Sequence, residues 1–246
     1  MEVHHHTHHP KKWKEYFWEF FMLFLAVFCG FLAEYQLEHK IENDREKKYI
    51  LSLVNDITKD SIDAMSWLEK NERRVKINDT LLKQYGNDFT RTENSTKLYQ
   101  YFLKSTSLPQ FDPHTATMAQ LKSSGSLRLI HDQRIIDEIL NYDQQTIFLQ
   151  KINLAYGETY RDAWAAAYPV LHVNLYFDSA YANYNTKMIS TDNFPPVKCS
   201  QEHLDNFFGA ITRQQIFTRQ EVGLLRKQIA AANKLVRLLK ESYDLD

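Results

Sequence analysis

Residues 16–33, YFWEFFMLFLAVFCGFLA, constrain this chain more than any other stretch, because Glu19 is the single charge among them. The run from 20 to 33 is apolar over 14 residues with Gly30 included, which falls short of the roughly 17 to 25 needed to cross a bilayer core. Its flanks make up the difference. Trp13, Tyr16, Phe17 and Trp18 on one side and Tyr35 on the other form aromatic belts at head-group depth, and Lys11, Lys12 and Lys14 can snorkel. The 20 residues 16–35 reach about 30 Å as an α-helix at roughly 1.5 Å per residue. They are read as a transmembrane helix behind a His-rich tail, 1–15. A cleaved signal sequence needs a small-residue cleavage site, whereas here Gly30-Phe31-Leu32-Ala33 runs directly into EYQLEHKIENDREKKYI, so retention as a single-pass anchor is expected. The lysines before the anchor, against Lys40 with Glu34, Glu38 and Glu42 behind it, favour a cytoplasmic N-terminus.

Within the anchor, Glu15, Glu19, Met22, Ala26, Gly30 and Ala33 recur at steps of three or four and share one helix face. Ala26 and Gly30 form a small-xxx-small pair that lets a second helix approach closely. Glu19 on that face is costly against lipid and better placed in a protein interface or near a head group. Glu19, Ala26, Gly30 and Ala33 are therefore the expected transmembrane interaction face, with a Glu19 solvated from the membrane edge as the alternative.

Ahead of the anchor, His4, His5, His6, His8 and His9 crowd into six positions, with Pro10 closing the tail. Such dense imidazoles can hold a soft divalent metal. A flexible tract without a carboxylate or Cys cluster lacks the outer shell of a real site, so the tail is read as solvated and pH-responsive, with no metal and no cofactor.

The rest of the chain reads as one helical domain, 36–246. Six Gly and six Pro in 246 residues leave little room for sheet turns or linkers, so the fold class is all-α: one N-terminal transmembrane helix followed by a long-helix bundle or coiled-coil domain with a helical insert. With 30 Lys and Arg against 31 Asp and Glu, no net field draws nucleic acid. Cys29 lies in the anchor, which leaves Cys199 without an intrachain partner outside it. No Gly or Pro interrupts residues 32–85, read as a stalk over 36–85 with Ile50, Leu53, Ile57, Ala64, Leu68, Val75 and Leu82 on one face, or as two helices breaking near Asn43-Asp44. Over 200–243, Val222, Leu225, Ile229, Ala232, Val236, Leu239 and Tyr243 alternate steps of three and four, a seam that wants another helix. The stalk of the same chain, running antiparallel, is the simplest partner, and a self-associating coiled coil is its rival.

A helical insert is expected over 92–170, with a helix from Thr92 or Asn94 to Ser105, a short one closed by Gly125, and a long one capped by Asp132 and stopped before Pro169. In it Tyr156, Tyr160, Trp164 and Tyr168 recur every fourth residue. Such a row is usually core, yet its polar tips favour a wet end. Together with Tyr176 and Tyr181 of the irregular, aromatic-rich stretch 171–198, these residues are the candidate ligand or partner surface.

The opening Met1-Glu2-Val3-His4-His5-His6, the lysine pair ahead of EYFWEF, the run F-L-A-V-x-x-G-F-x-A-E over 24–34 and the motif T-x3-L-x2-S-G-x-L-x-L-I over 117–130 resemble a family of uncharacterised bacterial single-pass membrane proteins. The resemblance implies an anchored domain of a bacterial membrane protein and attaches no activity or functional residue; with the lysine bias ahead of the anchor, the expected location is the bacterial inner membrane with the domain in the periplasm.

Motifs for phosphate loops, dinucleotide binding, zinc hydrolysis, serine hydrolysis and dithiol chemistry do not occur. His131-Asp132 and the neighbours Asp112 and His114 offer acid–base groups without a nucleophile. The expected function is a membrane-anchored helical interaction or scaffold protein, not an enzyme, working as a homo-oligomer or as a subunit beside other membrane proteins, with membrane lipid around its anchor. The alternative is an extracytoplasmic sensor domain relaying through a partner.

Overall fold

The computed structural model describes residues 12–105, 111–172 and 194–245. All regular structure among them is helical: α1 (Trp13–Leu82), α2 (Thr92–Ser105), α3 (Ala116–Ser123), a 3-10 turn (Ser126–Leu129), α4 (Gln133–Ala167) and α5 (Gln201–Tyr243). The starts and stops follow local chemistry. Asp132 caps α4 by accepting from the Arg134 N–H at 2.9 Å, and Ser200 caps α5 by accepting from the His203 N–H at 3.2 Å. Gly125 takes a left-handed φ of 67° behind α3, where a side chain would be strained. No break occurs at Asn43-Asp44; α1 is one helix.

The chain divides into two compact units, Met1–Ile50 and Leu51–Asp246. In the first, α1 exposes its apolar residues all round, among them Phe20, Leu23, Val27 and Phe31. Its aromatic rings stack along the helix in i,i+4 pairs, with Phe20–Phe24 at 6.4 Å and Phe24–Phe28 at 5.9 Å between centroids. Among the described residues α1 is the one helix long and apolar enough to cross a membrane, and none of its apolar window is buried within the protein.

The second unit is a three-helix bundle of the α1 segment from 51 onward, α4 and α5. Pairs such as Asp79–Arg219 and Glu72–Arg226 on one side, and Asp162–Arg213 and Glu138–Lys234 on the other, show α5 running antiparallel to both α1 and α4. The expected pairing of the C-terminal helix with the stalk is thus present. Residues 133–167 form a main helix of this bundle, and 201–243 form one continuous helix.

The seam of α5 is rotated from the one its apolar pattern suggests. Leu225, Ala232 and Leu239 are buried as expected, but Glu221, Gln228 and Leu235 complete the buried row while Val222, Ile229 and Val236 flank it half-buried. The same happens on α1, where Leu53, Ile57, Asp60, Ala64, Asn71, Arg74, Asn78 and Leu81 face inward and Leu68, Val75 and Leu82 flank. Polar side chains occupy these seam positions, so apolar spacing alone points one notch away.

Two apolar clusters bracket that polar stretch. One joins Leu81, Ala163, Phe207 and Ile211 to Leu98, Tyr99 and Phe102 of α2; the other holds Ala64, Phe111, Leu149 and Leu225. Each fully buried large side chain there contributes about 1.5–3 kcal/mol. Helix α2 also fastens the backbone near 172 and 194–197: the His172 N–H donates to Tyr99 Oη at 3.0 Å, Phe194 N–H to Thr96 Oγ1 at 3.1 Å, and Val197 N–H to Ser95 Oγ at 3.0 Å. Cys29 and Cys199 are free thiols.

Candidate functional site

Midway along the bundle the three helices meet through polar side chains. Helix α1 contributes Asn71, Arg74 and Asn78, α4 contributes Tyr156, and α5 contributes Gln214, Thr218 and Glu221, every one of them buried. They face inward because they fall on the heptad positions that the apolar residues occupy at either end. Arg74 donates to Asn71 Oδ1 at 2.6 Å and lies 5.5 Å from the Tyr156 ring centroid, a cation–π contact. Thr218 Oγ1 donates to the Gln214 carbonyl at 2.8 Å. Both side-chain amide atoms of Asn78 and of Gln214, Tyr156 Oη and Glu221 Oε2 make no hydrogen bond. A buried polar group left so is costly.

The electrostatics of the layer centre on Glu221. Burial pushes its carboxyl up to about 7, while the Arg74 charge and the nearby Asn71 side chain draw it back. Burial likewise raises the Tyr156 phenol, against the lowering influence of Arg74. An acid poised near neutrality in a buried three-helix contact can take up or release a proton.

A second polar junction ties the α3 segment to the bundle. Asp60, 2% exposed, accepts from the His114 N–H at 2.7 Å and from Tyr142 Oη at 2.8 Å, and its Oδ1 lies 2.9 Å from His114 Nδ1. One helical turn away, Asp56 Oδ2 accepts from Thr117 Oγ1 at 2.6 Å. The sequence placed His114 beside Asp112; its partner is Asp60, 54 residues earlier. Burial and the Asp60 carboxylate both raise the Tyr142 phenol. Among the described residues no group of three or more His, Cys, Asp or Glu side chains is placed to hold a metal ion.

Open grooves lie on the surface. One of about 370 Å³ is lined by Leu82, Tyr85, Asp205, Phe208, Gly209 and Thr212, with Tyr85 Oη donating to Asp205 Oδ1 at 2.9 Å. Another of about 250 Å³ has Phe148 and Leu224 among its walls.

The row Tyr156, Tyr160, Trp164 and Tyr168 does not share one surface. Tyr156 belongs to the polar layer, Trp164 packs edge-on against Phe102 at 5.1 Å, Tyr160 is half-buried, and Tyr168 is exposed. Tyr176, Tyr181 and the tail residues His4, His5, His6, His8 and His9 lie outside the described residues. Glu19, Ala26, Gly30 and Ala33 are all exposed on α1, and a Cβ built on Gly30 meets nothing within 4 Å. The residues that sequence reasoning passed over are Asn71, Arg74, Asn78, Gln214, Thr218 and Glu221. Their heptad spacing was readable once polar residues were allowed into the seam. Comparison with protein-family models, curated proteins and solved structures returns no match to this chain.

Proposed function

We propose that this protein is a membrane-anchored helical interaction or scaffold protein, working as a homo-oligomer or as a subunit of a membrane assembly and without catalysis of its own. The observation that carries this reading is the exposed apolar surface of α1, where Phe20, Leu23, Val27 and Phe31 are each about two-thirds exposed. An apolar surface of this extent belongs against lipid or another helix rather than in water. The anchor sits in a bacterial inner membrane with its N-terminus in the cytoplasm and the bundle in the periplasm. Ile62, Met65, Phe148, Leu154 and Ile216 stand exposed on the bundle and give a partner apolar footholds.

The test is gentle extraction of the full-length protein from its native membrane, followed by mass identification of what accompanies it. Reproducible membrane-protein partners or a defined homo-oligomer support the reading; a lone monomer in every mild detergent and in nanodiscs rejects it. A second reading, a ligand-binding sensor, draws on the Tyr85–Phe208 groove. Consistent thermal stabilisation by one class of small molecule favours the sensor.

A further inference from the structure

The midsection of the bundle differs from its two ends in what holds it closed. An apolar layer closes by excluding water at any ordinary pH. The polar layer contains an acid, Glu221, that is 1% exposed and whose Oε2 has no hydrogen-bond donor. A carboxylate can accept about four hydrogen bonds, so the ionised form is under-solvated where it sits.

The charged and titratable groups facing Glu221 are Arg74 from α1 and Tyr156 from α4. Its nearest seam neighbours on α5, Thr218 and Leu225, are neutral. Arg74 does not serve Glu221 alone, since it also donates to Asn71 and lies near the Tyr156 ring. Farther out, Glu72 and Asp79 are paired with Arg226 and Arg219 on the bundle surface. The helices are also weakened here. Gly223 sits two residues beyond Glu221 with open space beside it, and Gly157 follows Tyr156 in α4. Glycine inside a helix lowers its stability relative to alanine.

We propose that the Arg74–Tyr156–Glu221 layer is a proton-operated latch, closed while Glu221 is neutral and opened locally along α5 once it ionises. This holds whether the bundle serves as scaffold or sensor. The direction follows from linkage. The closed state keeps its proton to about pH 7, while a solvated glutamate releases it near 4.5. Rising pH therefore favours opening between those limits, by up to tenfold per unit, and the effect levels off above them.

Hydrogen exchange on the full chain in nanodiscs, read by mass spectrometry over 214–225 and corrected for intrinsic exchange rates, tests the latch. In the wild type the opening equilibrium is expected to rise roughly seventyfold between pH 5 and pH 8. Glu221→Gln, which mimics the neutral acid, stays protected at both. Arg74→Gln removes the opposing cation and moves the transition to higher pH. Flat wild-type protection, or an equal rise in Glu221→Gln, overturns the proposal. Infrared spectroscopy of the wild type gives an independent reading that no folding defect can obscure. A buried protonated carboxyl band must persist at pH 6 and vanish by pH 8, and its absence at pH 6 also overturns the latch.

Discussion

Replacing Asn78 with leucine should stabilise the bundle, although the change removes a side chain from the middle of the core. Asn78 is 0% exposed, and neither its Oδ1 nor its Nδ2 makes a hydrogen bond. Each buried, unsatisfied polar group costs about 1–3 kcal/mol, so removing both recovers roughly 2–6 kcal/mol as an upper range. Leucine adds apolar burial of about 1.5–3 kcal/mol. Against this stands overpacking of about 1–3 kcal/mol, because leucine is bulkier than asparagine in a layer that also holds Thr218 and Gln214. These limits leave a net gain of roughly 0.5–8 kcal/mol, and the mid-range value of about 4 kcal/mol raises Tm by roughly 8–16 °C for a domain of this size. Thermal melts followed by circular dichroism, with urea titration of the same samples, measure it. Asn78→Asp, which places a charge where water does not reach, is the contrasting variant and should lower Tm. A melting temperature for Asn78→Leu below that of the wild type would refute the reasoning, since it would mean that the amide is well bonded in the folded protein.

Truncation of Phe102 should cost about 3–5 kcal/mol, because its ring is fully buried and lies 5.1 Å from Trp164 and 5.4 Å from Phe207; the urea midpoint of Phe102→Ala reports this. Asp60→Ala removes the acceptor for the His114 N–H and for Tyr142 Oη and should cost roughly 2–4 kcal/mol, with faster exchange at the His114 amide than in the wild type. Arg226→Ala breaks an exposed pair with Glu72 and should change stability by less than about 1 kcal/mol, which the same titration checks.

How far the fold was legible depended on which residues carried the signal. The long apolar N-terminal helix, the Asp132 cap and the Gly125 turn were readable because each rests on local chemistry. The bundle seam was half readable. On α5, the row through Val222, Ile229 and Val236 and the row through Glu221, Gln228 and Leu235 share Leu225, Ala232 and Leu239, so both alternate steps of three and four. Apolar spacing favours the first row. The folded protein takes the second, because Asn71, Arg74, Asn78 and Tyr156 supply polar neighbours that no local pattern reveals.

The aromatic row is split between core and surface for a geometric reason. Residues spaced every fourth position drift by about 40° per step around a helix of 3.6 residues per turn. From Tyr156 to Tyr168 the drift is roughly 120°, enough to carry one ring into the polar layer and the other into solvent. The pairing of His114 with Asp60 spans 54 positions and depends on where the α3 segment returns to the bundle. No reading of neighbours in the sequence supplies it.

The anchor itself is tested most directly by extracting native membranes with alkaline carbonate and following the full-length chain by immunoblot. Spanning by the apolar part of α1 requires that the protein stay in the membrane pellet and be released only by detergent. Quantitative release into the carbonate supernatant would contradict it.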